Sequence, residues 1–195
     1  MMYSRWILYF IPNLIVEILS LALTPLVACF ITKAERTDRV KRMDNAQVMM
    51  WREYLIKPLY WFQTHDNAVD EYWWGLFTES SAISWVRHAT QEDYNNSRVL
   101  RWLCRVLWMW RNAAYGFGYN LFGAPVDETV SIKEVGSKSS GYWWKHVTRQ
   151  SSFQIEAHLP VSGSAHINLN FGWKTHRGFP RAMYANRVFS IKRNS

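Results

Sequence analysis

The sequence predicts an α+β protein with an N-terminal apolar helix, a helical tryptophan-rich middle and a C-terminal antiparallel β-sheet. Three observations carry this reading. Trp6 to Ile31 is a nearly unbroken apolar run. Residues 98–111 (RVLRWLCRVLWMWR) place apolar residues at helical spacing. Beyond residue 128 the pattern changes to alternation with a period of two. The expected organisation is an apolar membrane segment over 1–32, a helical aromatic-rich region over 33–125, and a β region with a basic C-terminus over 126–195.

The apolar run (WILYFIPNLIVEILSLALTPLVACFI) is 26 residues long and contains one acid, Glu17, and one amide, Asn13. A helix of about 20 apolar residues crosses a hydrocarbon core of about 30 Å, so the run is long enough to span. Arg5 is the one basic residue before it, whereas Lys33, Arg36, Arg39, Lys41 and Arg42 follow closely. Positive charge favours the cytoplasmic side, which predicts the N-terminus outside and residues 33–195 inside. Pro12 and Pro25 each remove a backbone donor. Two shorter helices at 3–11 and 13–31, forming an interfacial or protein-buried hairpin, are the alternative. Leu26-Val27-Ala28-Cys29 also matches a lipoprotein cleavage box, but the run before it is too long for a secretory signal.

In the middle, 38–57 reads as a helix with Val40, Met43, Val48, Met50, Trp51, Tyr54 and Leu55 as its stripe, ended by Pro58. Residues 59–78 read as irregular with one turn of helix near 67–74. A short helix and then a polar loop at EDYNNS follow. The helix over 98–111 carries Arg98, Arg101 and Arg105 on one face and Leu100, Leu103, Leu107 and Trp110 on another. A basic amphipathic helix rich in tryptophan is the profile of one lying among lipid headgroups. Trp6, Arg98, Arg101, Trp102, Arg105, Trp108 and Trp110 are therefore the candidate membrane-interface residues. An ordinary helix packed on a core has the same pattern.

Strands are expected at 129–135, 142–150, 152–160 and 164–174, with a turn at VSGS (161–164) and a last strand at 187–193. An antiparallel meander of four or five strands with one buried face follows. No acid occurs after Glu156, while Lys174, Arg177, Arg181, Arg187, Lys192 and Arg193 do.

Whole-chain composition limits the partners. The 195 residues carry 23 Lys and Arg against 15 Asp and Glu, a net charge of +8. That excess suits an anionic partner, either phospholipid or nucleic acid met through the basic C-terminal region. A host or phage protein and self-association are the other partner classes. Cys29 and Cys104 are the only cysteines, so no disulfide framework or CxxC knuckle exists. Buried in an apolar helix, Cys104 makes a poor nucleophile.

His65, Asp66, Asp70 and Glu71 form the densest polar cluster (QTHDNAVDE). Carboxylates beside a histidine can ligate a metal or supply acid and base groups. The bland reading is a turn in which Asp66 and Asn67 cap a helix entered at Ala68. His146, His158 and His166 lie on expected strands, and nothing in their spacing makes them converge. GxSxG, P-loop, HExxH and EF-hand patterns are absent, so no cofactor and no metal is expected and catalysis is not evident.

The segments Trp61-Phe62-Gln63-Thr64-His65-Asp66-Asn67-Ala68-Val69-Asp70, Trp108-Met109-Trp110-Arg111-Asn112-Ala113-Ala114-Tyr115-Gly116-Phe117-Gly118 and Asn170-Phe171-Gly172-Trp173-Lys174 resemble an uncharacterised family of small tailed-bacteriophage proteins. The resemblance implies a phage setting and a bacterial host inner membrane, and the charge bias above places the bulk of the chain on the cytoplasmic side. It implies no activity and no catalytic residue. The function expected is a membrane-associated accessory protein that binds a host membrane or defence component. A virion or ejection component contacting DNA and membrane is one alternative. A membrane hydrolase using His65, Asp66, Asp70 and Glu71 is the other.

Overall fold

A computed structural model of the chain describes residues 1–39, 47–74, 77–137, 142–162, 165–175 and 178–193. The chain is α+β. Residues Met2–Val27 form one helix, α1. It runs through both prolines rather than breaking into the hairpin of two helices. At 26 residues it is about 39 Å long, and its apolar window has a mean hydropathy of 1.9. It is therefore long and apolar enough to cross a membrane.

The helix expected over 38–57 does not form. Ile31–Arg39 (β1) and Gln47–Leu55 (β2) make an antiparallel hairpin with Ile31 opposite Leu55 and Arg39 opposite Gln47. Val40, Lys41, Arg42 and Met43 lie outside the described residues. Tertiary partners decide the outcome. Neighbours Arg52 and Glu53 point to opposite sides of β2, as strand geometry requires, and each meets an oppositely charged partner from another segment. A helix would have put them 100° apart, with no such pair of partners.

A 3-10 turn follows at Lys57–Phe62, with Pro58 in its first turn. Short helices follow at Glu71–Trp74 (α2), Ser84–Arg87 (α3) and Gln91–Asn96 (α4), then the long α5 at Arg98–Arg111 and α6 at Tyr115–Asn120. Two sequence readings are corrected here. EDYNNS is α4, not a loop. Its start is fixed by a capping box: the Asp93 amide donates to Thr90 Oγ1 at 3.1 Å, and the Thr90 amide donates to Asp93 Oδ2 at 2.8 Å. The turn near 67–74 begins at Glu71, so Asp66 and Asn67 do not cap it.

The second half is a six-stranded antiparallel sheet, one strand more than the meander allowed. Ala124–Pro125 (β3), Thr129–Ser137 (β4), Tyr142–Arg149 (β5), Phe153–Ser162 (β6), Ala165–Lys174 (β7) and Arg181–Arg193 (β8) lie in the order β3-β8-β7-β6-β5-β4. Gly163 and Ser164 of the expected turn, and Arg177, lie outside the described residues.

The chain divides into two compact units. One holds Met1–Leu14 with Gly118–Ser195 and the other Ile15–Phe117. Helix α1 thus supplies its first half to the sheet unit and its second half to the helical unit. In the sheet unit, Trp6 packs among Phe153, Phe171 and Tyr184 with ring centroids 5.9–6.2 Å apart. Trp173 is fully buried, and its indole donates to the Phe122 carbonyl at 2.9 Å. In the helical unit, Tyr72, Trp73, Val86, Tyr94, Leu100, Cys104 and Trp108 form one core cluster. Val27, Leu55, Val69, Val106 and Met109 belong to a second. Each fully buried large apolar side chain contributes about 1.5–3 kcal/mol.

Candidate functional site

Helix α1 is inside out relative to a helix of a water-soluble domain. Asn13, Ser20 and Thr24 are buried at 1–4% exposure, while Ile7, Leu8, Ile11, Ile15, Ile18 and Leu19 are each 52–71% exposed. At 100° per residue the buried polar positions fall within one narrow sector, and the exposed apolar ones spread over the opposite half. In water an amphipathic helix turns its apolar stripe inward. Here the stripe faces outward along the helix, which is the arrangement an apolar solvent selects.

Tryptophans on α5 satisfy the backbone that α1 cannot. Pro25 has no N–H, so the carbonyl of Leu21 loses its helical donor. The Trp110 indole donates to that carbonyl at 2.9 Å. The Trp102 indole donates to the Pro25 carbonyl at 2.8 Å, near the end of the helix where carbonyls lack helical partners. Trp110→Phe keeps the ring and removes the donor. It is expected to lower stability by about 0.5–1.5 kcal/mol, read as an earlier unfolding midpoint by circular dichroism. An unchanged midpoint would mean that the bond contributes nothing.

The candidate interface residues therefore have definite places. Trp6 is wedged in the sheet unit, with its indole donating to the Ala185 carbonyl at 3.1 Å. Trp108 is buried in the helical core. Arg105 makes a two-pronged ion pair with Glu53, Nε to Oε2 at 2.8 Å and a second nitrogen to Oε1 at 3.0 Å. Arg101 donates to the carbonyls of Tyr94 and Asn95. Arg98 is exposed, and among the described residues no acid lies within ion-pair distance of Arg98 or Arg101. With Cys29 and Val99, Arg98, Arg101, Trp102 and Arg105 line an open groove of about 690 Å³ in the helical unit.

The polar cluster singled out in the sequence is brought together only in part. Asp70 Oδ1 lies 2.9 Å from Arg52 Nε, and Glu71 Oε2 lies 2.7 Å from another Arg52 nitrogen. Arg52 and Asp70 are both buried. Burial pushes the Asp70 carboxyl up to about 6, against the pull of Arg52. His65 and Asp66 sit half-buried in the bend before them. Among the described residues no group of three His, Cys, Asp or Glu side chains could hold a metal ion. Burial raises the Cys104 thiol to about 12, so it stays protonated at neutral pH. Arg52 and Glu53 were not singled out in the sequence. The available signal was an adjacent pair of opposite charges inside an otherwise apolar strand, MMWREYL.

Two of the aromatic motifs pack on each other. Phe117 meets Trp61 and Phe62 edge-on at 5.7 and 5.1 Å. Gly116 lies so close that an added Cβ would overlap the carbonyl oxygens of Trp61 and Gln63. Gln63 in turn accepts the Leu55 amide at 2.7 Å through its Oε1, which fixes the end of β2. Gly172 has φ of +103° and no room for a Cβ against the Phe153 carbonyl, so only glycine fits before Trp173.

A family model described as a family of unknown function, DUF7338, matches residues 1–194. The chain belongs to this family. No curated protein and no solved structure matches it. The match covers residues of both units, and the family description carries no activity.

Proposed function

We propose that this DUF7338 protein is a membrane-seated binding protein whose anchor is α1. The observation that supports this reading most is the outward apolar face of α1 opposite its buried Asn13, Ser20 and Thr24. The helix lies along the bilayer surface with that face in the acyl layer. Within each unit its other side meets protein. Tyr3, Arg5 and Trp6 bond to His146, Ser151 and Ala185 in the sheet unit, and Leu21 and Pro25 accept the α5 indoles in the helical unit. A perpendicular crossing would drag those polar partners into hydrocarbon, at a cost of several kcal/mol per unsatisfied group. The bacteriophage resemblance points to a bacterial inner membrane, the basic residues after the apolar run point to a cytoplasmic location for the rest of the chain, and a host membrane or defence component is the proposed partner.

The test is alkaline carbonate extraction of membranes from expressing cells, with protease accessibility of tags at both ends. Resistance to extraction with both tags on one side is the expected result. Tags on opposite sides would replace the in-plane helix with a crossing one. A freely extracted protein would sink the reading.

The groove on α5 adds an electrostatic contribution. Arg98 and Arg101 project uncompensated charge near the C-terminal end of the anchor helix, where anionic headgroups would lie. Each basic residue near such a surface contributes about 1 kcal/mol. Replacing both with Glu is expected to weaken binding to vesicles containing phosphatidylglycerol, leaving phosphatidylcholine vesicles unaffected. Wild-type binding should fall with salt, because the screening length drops from about 10 Å at 0.1 M to about 3 Å at 1 M. Salt-independent binding in a flotation assay would show that these arginines take no part.

A further inference from the structure

The sheet unit contains a groove of about 270 Å³ on the face formed by β4 to β7, and the anchor does not use it. Its two ends differ in charge. At one end Lys145 stands directly opposite Glu134 on β4 and Glu156 on β6. Its Nζ is 3.6 Å from Glu134 Oε2, so that end is neutralised locally. At the other end Arg149, Lys174 and Thr175 meet beside Gln154 and Thr129.

Arg149 is the unusual member. It is 8% exposed, yet among the described residues no carboxylate pairs with it within 4 Å. One terminal nitrogen donates to Thr175 Oγ1 at 3.2 Å, and the other is buried with no partner. Asp127, whose charge reaches Arg149, accepts the Ser151 amide through Oδ2 at 2.7 Å, and its Oδ1 is buried without a partner. Burial lowers the Arg149 pKa more than Asp127 raises it. A buried guanidinium with an open donor is costly unless an anion completes it.

We propose that this groove binds a small oxyanion of the phosphate class, held by Arg149 and Lys174 with the Thr175 hydroxyl and the Gln154 amide around it. Guanidinium and ammonium groups with hydroxyl and amide donors are the set that phosphate oxygens take. Size limits the substituent. A liquid water occupies about 30 Å³, so the groove has room for about nine, which suits phosphate or a short phosphate ester.

The experiment is thermal unfolding of the full chain in non-ionic detergent, at matched ionic strength, in inorganic phosphate, chloride, acetate and glycerol phosphate. The unfolding midpoint is expected to rise with phosphate to a plateau, and not with chloride or acetate. A larger rise with glycerol phosphate identifies the ester as the ligand, and an equal or smaller one identifies the free ion. Arg149→Leu should abolish the rise while being at least as stable as wild type in chloride, since burial costs the Arg149 charge more than the attraction of Asp127 returns. Lys174→Gln, at a less buried position, should reduce the rise without changing the midpoint in chloride. Equal responses to phosphate and chloride would overturn the proposal. So would a phosphate response that survives Arg149→Leu, or an Arg149→Leu protein markedly less stable than wild type in chloride.

Discussion

Arg52→Ala is expected to destabilise the helical unit by about 3–5 kcal/mol. The substitution leaves the Asp70 and Glu71 carboxylates facing a cavity where their shared guanidinium stood 2.9 and 2.7 Å away. Asp70 is 2% exposed, so water does not replace the lost partner. The penalty is the cost of a charge left buried and unpaired, not the net worth of the ion pair. That distinction is itself testable. Arg52→Met combined with Asp70→Asn and Glu71→Gln removes all three charges, and should recover most of the loss. Denaturant unfolding followed by circular dichroism gives both numbers. If the single variant costs less than about 1 kcal/mol, the arginine is a surface group and the buried network does not exist.

The same network has a pH signature. The Asp70 carboxyl is raised from its ordinary value of 3.8 to about 6, chiefly by burial. The folded protein thus holds this proton more tightly than the unfolded chain. Asp70 then contributes stability that is full below about pH 4 and is lost as pH rises through about 6. The stability difference between wild type and Asp70→Asn should shrink over that window. A difference that stays constant or widens would mean that Arg52, rather than burial, controls the group.

Placing aspartate at Ile11, Ile15 and Ile18 together is expected to release the protein from membranes while leaving its fold intact. All three side chains are more than half exposed, so no packed neighbour is disturbed. In a soluble protein such changes would be silent or would improve solubility. In a helix seated in lipid, each carboxylate at depth costs about 2.5–3.5 kcal/mol, and less near the interface. Three of them should shift the protein from the membrane pellet to the supernatant. The control is aspartate at Ser20 and Thr24 on the buried face, which should damage folding instead of partitioning. A triple variant that remains in the pellet would mean that something other than α1 holds the protein there.

Arg105 shows how tertiary structure reassigns a legible pattern. Arg98, Arg101 and Arg105 recur on one helix face, and sequence alone reads them as equivalent. Only the fold brings Glu53 from β2 to Arg105 and backbone carbonyls to Arg101, leaving Arg98 as the exposed member. Trp110 makes the same point. Its position on the apolar side of α5 was readable, but its role depends on a carbonyl 89 positions away that Pro25 left without a donor.

The class of each region is legible in the residue order: the apolar N-terminal helix, α5 and the C-terminal strands. These depend on local periodicity and on turn and capping residues, which act over a few positions. Gln47–Leu55, inside the helix expected over 38–57, is the strand β2, because a short apolar stripe fits both periods when its partners are unseen. Long-range contacts fix which face of α1 points outward, which charges are neutralised, and that Arg149 is buried with no carboxylate within ion-pair distance among the described residues. Each of these turns on contacts between residues far apart in the chain. Burial and Coulomb energy depend on distance through space, and periodicity along the sequence carries no record of that distance.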